Sequence, residues 1–159
     1  LDEVTAIAGL AKDDPLTVRF IELMPIGQGR NKDGISEEKI LGLLEQKYGV
    51  LCPYDGNMGN GPAHYYEFPG FRGKIGFISA ISHKFCGECN RVRLTSDGGF
   101  KTCLQYGETL DLRNLLRSGA SDTELRKQLE KEILKKPQCH HFEKQVENIE
   151  KQNMSKIGG

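Results

Sequence analysis

The spacing of hydrophobic residues along the chain predicts four helices. The chain opens with apolar residues at helical spacing, Val4, Ile7, Ala8 and Ala11. A second helix is predicted after Ser36, because serine is a good N-cap, and Gly49 is its expected end. Two more helices are predicted over 111–117 and from Ser121 towards Pro137.

Runs of β-branched and large apolar residues predict strands at 17–24, 65–68 and 74–81. A hairpin is predicted around Asp97-Gly98, since this dipeptide is a strong turn signal between two short strand-like runs. Helices and strands therefore occur in the same chain, and the predicted fold class is α+β.

The composition excludes several classes of protein. The 159 residues contain 22 Lys plus Arg and 22 Asp plus Glu, so the net charge is zero, and 37% of the residues are hydrophobic. Such a balance is typical of a water-soluble protein and does not suit a surface that coats nucleic acid. Neither a membrane span nor a secretory segment is recognisable, so a cytoplasmic protein is expected.

Because the first residue is Leu1 and a helical pattern is already under way, a fragment of a longer protein is expected.

The most informative stretch contains three of the five cysteines. Cys86 and Cys89 form a C-x2-C pair, a spacing that lets two thiolates share one metal centre. The predicted hairpin then brings Cys103 back towards the first two, so three thiols are expected at one site.

Two arginines lie in the same stretch. If the strand begins at Cys89, alternation places Cys89, Arg91 and Arg93 on one face and directs Val92 and Leu94 to the core. Guanidinium groups bind phosphate or carboxylate in a bidentate manner, so an anionic ligand is expected beside the metal. The alternative is that both arginines are ordinary solvated strand residues.

Spacing alone leaves the metal open. Structural zinc with a fourth ligand from His83, His140 or His141 is the commonest use of such cysteines, and a zinc-stabilised, non-catalytic interaction module is the alternative function. An iron–sulfur cluster or inert thiols are the other interpretations. Cys52 and Cys139 are isolated and are expected to be small buried hydrophobic residues.

The motif carries a resemblance to a known family. The residues that carry it are Phe85-Cys86-x2-Cys89-Asn90-Arg91-x-Arg93-Leu94-x2-Asp97-Gly98-x4-Cys103-Leu104. This pattern resembles the carboxy-terminal cluster motif of the GTP 3',8-cyclase family of radical SAM enzymes, which act in molybdenum cofactor biosynthesis. The segments 19–25, 61–66 and 154–159 are similar to that family as well, in the same order along the chain.

The resemblance implies an incomplete α/β barrel followed by a small domain with antiparallel strands and peripheral helices. It further implies two 4Fe-4S clusters in the full-length enzyme. One is held by an amino-terminal C-x3-C-x2-C motif and cleaves S-adenosylmethionine. The other is held by Cys86, Cys89 and Cys103, with one iron left open to the guanine of GTP.

The resemblance also implies roles for individual residues. Arg91 and Arg93 match arginines that contact the triphosphate, and Arg19 matches an arginine that lines the pocket. Met24 matches a position near S-adenosylmethionine, and Gly158-Gly159 matches a tail that reaches into the site. In the family reaction, a 5'-deoxyadenosyl radical removes hydrogen from C3' of GTP, and that carbon attacks C8 of guanine.

The chain departs from the family at one point, because the C-x3-C-x2-C motif does not occur in it. Residues 1–50 are therefore interpreted as part of the partial barrel, and 51–159 as the carboxy-terminal iron–sulfur and GTP-binding domain. No catalytic residue is assigned within the chain, which is expected to be inactive alone. Nucleic acid and membranes are not expected as partners, whereas a homodimer is expected through the exposed edge of the truncated barrel.

Overall fold

The computed structural model describes residues 1–142 and 150–157, and the chain groups into two compact units. The first unit comprises Leu1–Met24 and Asp33–Phe85, and the second comprises Pro25–Lys32 and the chain from Cys86 onwards. The boundary at residue 85 differs from the predicted division after residue 50. The difference arises because the three strands between these positions belong to the same four-stranded sheet as the first strand of the chain.

The first unit combines two helices with a four-stranded mixed sheet. Its elements are α1 (Asp2–Asp13), β1 (Thr17–Ile21), α2 (Glu37–Tyr48), β2 (Cys52–Tyr54), β3 (His64–Glu67) and β4 (Lys74–Ile78). The strand order is β1-β4-β3-β2; β1 and β4 are parallel, and the other pairs are antiparallel. Strand β2 is missing from the sequence prediction because it is short and contains Pro53, which only an edge strand tolerates well.

The core of the first unit lies between the two helices and the sheet. Its buried members are Ala8, Ala11, Ile40, Leu44, Leu51, Phe68, Ile75 and Phe77. The helices are linked directly, because the Tyr48 hydroxyl donates to the carbonyl of Thr5 at 2.7 Å. Gly9 leaves room for this contact, since a Cβ there would lie 2.8 Å from the Tyr48 oxygen. Ser36 caps α2 as predicted, by accepting a hydrogen bond from the amide of Lys39 at 3.3 Å.

In its described residues, the second unit contains a three-stranded antiparallel sheet and two α-helices. Its regular elements are β5 (Arg93–Leu94), β6 (Gly99–Lys101), β7 (Leu110–Asp111), α3 (Leu112–Arg117) and α4 (Asp122–Leu134), with the strand order β5-β6-β7. Short 3₁₀ helices lie at Gly27–Gly29, Cys86–Glu88 and Met154–Lys156. Both predicted helix starts are confirmed: Asp111 accepts from the amide of Asn114 at 2.9 Å, and Ser121 forms a capping box with Glu124.

The predicted hairpin turn is confirmed between β5 and β6. The amide of Thr95 donates to the carbonyl of Gly99 at 2.8 Å, and the amide of Gly99 donates back to the Thr95 hydroxyl at 2.8 Å. Gly98 has φ +91°, a conformation that favours glycine, and a Cβ there would lie 2.6 Å from the Cβ of Arg113. The turn therefore returns the chain from Arg93 to the segment that carries Cys103.

The helices within residues 1–142 and 150–157 lack the features of a membrane span. No helix in these ranges combines the length and the apolar character that a membrane span requires.

Leu44→Ala should destabilise the first unit by about 2–5 kcal/mol, because Leu44 is fully buried between α2 and the sheet and the change leaves a cavity. Val50→Ala is the matched control, since Val50 is 71% exposed and its truncation should cost no more than about 0.5 kcal/mol. Urea unfolding monitored by circular dichroism measures both. Equal midpoints for the two variants would contradict the position of the core.

Candidate metal centre

The three cysteines of the motif reach the second unit from different local structures. Cys86 begins the 3₁₀ turn Cys86–Glu88, and the amide of Cys89 donates to the carbonyl of Cys86 at 3.2 Å, which closes the C-x2-C loop. Cys103 lies two residues after the end of β6. All three thiols are half-buried, and no disulfide forms among the described residues. They are therefore reduced and partly shielded from water.

Each of the three sulfur atoms faces a hydrogen-bond donor. The amide of His140 lies 3.4 Å from the sulfur of Cys86, and the ammonium group of Lys136 lies 3.5 Å from that of Cys89. Backbone amides of Gln105 and Tyr106 donate to Cys103. Donors of this kind stabilise the thiolate, which is the form that binds metal.

The thiols also act on one another. Burial raises the pKa of the Cys103 thiol, and the negative charges of Cys86 and Cys89 raise that pKa further against the opposing effect of the backbone amides. The three thiols therefore interact electrostatically within the second unit. The thiol of Cys103 consequently ionises less readily than an unperturbed cysteine.

The three thiols do not form a closed site for a single ion. No group of three or more His, Cys, Asp or Glu side chains within 1–142 and 150–157 is arranged to hold one metal ion. Tetrahedral zinc at about 2.3 Å from each sulfur would need its donors within about 4 Å of one another. The donor set fits an iron–sulfur cluster in its chemistry, because clusters are held by thiolates and span more than one metal atom.

The three histidines considered as a fourth zinc ligand have other contacts, and the ring centroid of His140 lies 4.6 Å from that of Phe142. His83, in the first unit, has Nδ1 3.3 Å from the buried carboxylate of Glu37. His141 has Nε2 3.5 Å from the sulfur of Cys139. The zinc alternative therefore gains no ligand from either residue in the arrangement described.

The guanidinium of Arg93 interacts electrostatically with the thiols of Cys89 and Cys103. Burial lowers the pKa of its guanidinium, the charges of Cys89 and Cys103 raise it, and that of Arg91 lowers it. Its Nε is buried and has no hydrogen-bond partner among the residues that the structure describes. A half-buried guanidinium with an unused donor is suited to an anionic ligand.

The predicted faces of the hairpin strand need correction. Val92 and Leu94 were expected in the core, but they are 45% and 62% exposed. The buried side belongs instead to Arg93 and to Thr95, which is 4% exposed. The reason is that β5 is a two-residue edge strand, and its inner face packs on the polar hydrogen bonds of the turn.

Lys101 is a site residue that the sequence analysis missed. It pairs with Arg93 across β5 and β6, is fully buried, and forms an ion pair with the buried carboxylate of Glu150. The amide of Glu150 donates to the carbonyl of Gln105 at 2.7 Å, and Arg30 donates to the carbonyl of Glu150. The segment 150–157 is thereby anchored beside the Cys103 loop. The sequence contains one signal for Lys101: the turn at Asp97-Gly98 places it opposite Arg93 in the hairpin.

The other predicted site residues lie elsewhere or outside the described ranges. Arg19 is exposed on β1 of the first unit, where it pairs with Gly76, and Met24 is half-buried after the same strand. Gly158 and Gly159 lie outside the described residues. Cys52 is exposed rather than buried as expected, because β2 is an edge strand, and Cys139 is half-buried.

Comparison with known proteins agrees with the motif. A family model described as Molybdenum Cofactor Synthesis C matches residues 16–142. The chain is 42% identical over 158 residues to a GTP 3',8-cyclase of Clostridium perfringens (strain 13 / Type A). It is 45% identical over 160 residues to that of Desulforamulus reducens and 40% identical over 161 residues to that of Syntrophomonas wolfei. Each alignment covers 99% of this chain and 49% of the relative, so the chain spans about half the length of the curated relatives it matches.

In the metal-free chain, Cys103 should react with iodoacetamide about tenfold more slowly than the exposed Cys52 at about pH 8. The thiolate is the nucleophile, and a raised pKa leaves less of it at a given pH, so the difference should narrow as the pH increases. Mass spectrometry of the two alkylated peptides over time measures the rates. Equal rates at about pH 8 would contradict the buried, mutually interacting thiols.

Proposed function

Because this chain belongs to the Molybdenum Cofactor Synthesis C family, we propose that it forms the part of a GTP 3',8-cyclase that holds a 4Fe-4S cluster and binds GTP. The resemblance seen in the cysteine motif is confirmed by the family match. One observation of the structure carries the proposal most directly. Three interacting thiols lie beside the guanidinium of Arg93, whose buried Nε has no partner within the described ranges.

We propose that Cys86, Cys89 and Cys103 bind the cluster as thiolates. Three protein ligands leave one of the four irons of such a cluster without a protein donor. When bound, the cluster supplies a Lewis-acidic iron to which the guanine of GTP can coordinate. The donors that face the three sulfur atoms favour their ionised form, and the half-buried position limits access of water.

We propose that Arg93 and Arg91 hold the triphosphate of GTP. The Nε of Arg93 is an unsatisfied donor beside the thiols of Cys89 and Cys103. Arg91 is exposed two residues earlier. The burial that lowers the pKa of Arg93 also strengthens its attraction to an anion, since fewer water molecules screen the two charges. The proposed role of Arg91 and Arg93 is to orient GTP towards the metal centre.

The first unit is proposed to be the last part of an incomplete α/β barrel. The parallel pairing of β1 with β4 supports this assignment, because parallel strands packed against helices are the repeating element of such barrels. Arg19 lies on β1 and is proposed to line the GTP pocket of the complete enzyme, and Met24 is proposed to lie near S-adenosylmethionine. Gly158-Gly159 is proposed to reach into the same site.

The complete enzyme is proposed to convert GTP to (8S)-3',8-cyclo-7,8-dihydroguanosine 5'-triphosphate with S-adenosylmethionine and a second 4Fe-4S cluster. The C-x3-C-x2-C motif does not occur in these 159 residues. We therefore propose that the chain alone binds GTP but does not catalyse the reaction.

A cytoplasmic location is proposed, and a homodimer is proposed through strand β1, which lies at the sheet edge and exposes 61% of Ile21.

Anaerobic reconstitution should load the chain with about four iron and about four sulfide ions. Cys103→Ser should lose most of this content, because it removes one of three ligands, whereas Cys52→Ser should keep it, because Cys52 is exposed in the first unit. Iron and acid-labile sulfide analysis with visible absorption provides the measurement. Stoichiometric zinc without sulfide in the wild-type chain would overturn the proposal.

Arg93→Ala should weaken GTP binding to the reconstituted chain about tenfold to hundredfold, as expected for the loss of a charge-assisted hydrogen bond. Arg117→Ala is the control, since Arg117 is an exposed residue in the last turn of α3. Isothermal titration calorimetry measures the affinity, and iron content verifies that the cluster is retained. If Arg91→Ala and Arg93→Ala both bind GTP as tightly as the wild type, the phosphate role is excluded.

A further inference from the structure

Lys136 makes an unusual set of contacts just beyond the end of α4. Its ammonium group donates to the carbonyl of Cys89 at 2.7 Å and to the carbonyl of Arg91 at 2.8 Å. The same group lies 3.5 Å from the sulfur of Cys89. One side chain thus contacts the backbone of two residues with separate proposed functions, a cluster ligand and a triphosphate ligand.

The two carbonyl contacts fix the conformation of a segment that has no neighbouring strand. Strand β5 begins only at Arg93, so pairing within the sheet does not satisfy the carbonyls of Cys89 and Arg91. The carbonyls of Cys89 and Arg91 both face the ammonium group of Lys136, which has three donors and binds both. Lys136 therefore supplies the hydrogen-bond donors that a neighbouring strand would otherwise give to these two carbonyls.

The third contact places a positive charge beside a sulfur that is proposed to bind the cluster. A nearby cation stabilises a thiolate, and hydrogen bonds to the sulfur atoms raise the reduction potential of an iron–sulfur cluster by stabilising its reduced, more negative state.

We propose that Lys136 is a positioning residue that holds Cys89 and Arg91 at a fixed separation and tunes the cluster bound through Cys89. The inference rests on the proposed function for the cluster and for Arg91. The backbone contacts of Lys136 exist without the cluster, so the positioning role can be measured in the metal-free chain.

The chain offers a matched control in the preceding residue. Lys135 has the same side chain, but its ammonium group contacts Glu132 at 2.8 Å, and 58% of its side chain is exposed. Lys136→Met and Lys135→Met remove the same charge from adjacent positions. Lys136→Arg keeps a cation with several donors and should restore part of the function.

In the metal-free chain, hydrogen exchange measured by mass spectrometry should be about tenfold faster over residues 86–93 in Lys136→Met than in Lys135→Met. Exchange over the first unit should be equal in both, which shows that each variant is folded. Equal exchange over 86–93 would overturn the positioning role, whatever the state of the cluster.

In the reconstituted chain, Lys136→Met should shift the reduction equilibrium of the cluster about tenfold towards the oxidised form, which is about 59 mV for one electron. GTP affinity should fall about tenfold as well, and Lys136→Arg should recover part of both effects. A potential and an affinity equal to those of Lys135→Met would overturn the tuning. A wild-type chain that takes up no iron and sulfide would instead overturn the proposed function, while the exchange experiment still decides the role of Lys136.

Discussion

Charge balance around three half-buried thiols is the constraint on which the second unit depends. Arg93, Lys101 and Lys136 all place cations in this region, yet burial and the charges of Cys86 and Cys89 raise the pKa of the Cys103 thiol. Cations that are partly removed from water need a negative partner. Glu150 supplies one for Lys101, and ionised cysteines with an anionic ligand would supply the remainder. An anionic ligand would give a partner to the buried Nε of Arg93, which has none among the described residues.

The same balance explains why the segment 150–157 is held where it is. The buried pair of Lys101 and Glu150 links β6 to this segment, and breaking one half of a buried ion pair typically costs about 3–5 kcal/mol. Ile157 is also fully buried, which adds an apolar anchor at the end of the described segment. Lys101 and Gln105, which lie on either side of Cys103, therefore both anchor the segment 150–157 through Glu150.

The sequence predicted the features that depend on local chemistry. Helix starts at Ser36 and Ser121 follow from side-chain capping, and the turn at Asp97-Gly98 follows from backbone preference. Features that depend on distant partners were missed. Lys136 contacts residues 45 and 47 positions away, and Lys101 contacts a residue 49 positions away, so no local pattern reveals either role. The faces of β5 were assigned incorrectly because the hydrophobic residues Val92 and Leu94 were assumed to be buried. In this edge strand the hydrogen bonds of Thr95 at the turn determine which side is buried.

The central claim is that three cysteines hold a cluster with one iron open to a nucleotide. Mössbauer spectroscopy of the iron-loaded chain, recorded with and without GTP, tests this claim most directly. The account predicts that one iron in each cluster differs from the other three and that its signal alone changes when GTP is added. Four equivalent irons with identical spectra in both samples would contradict it.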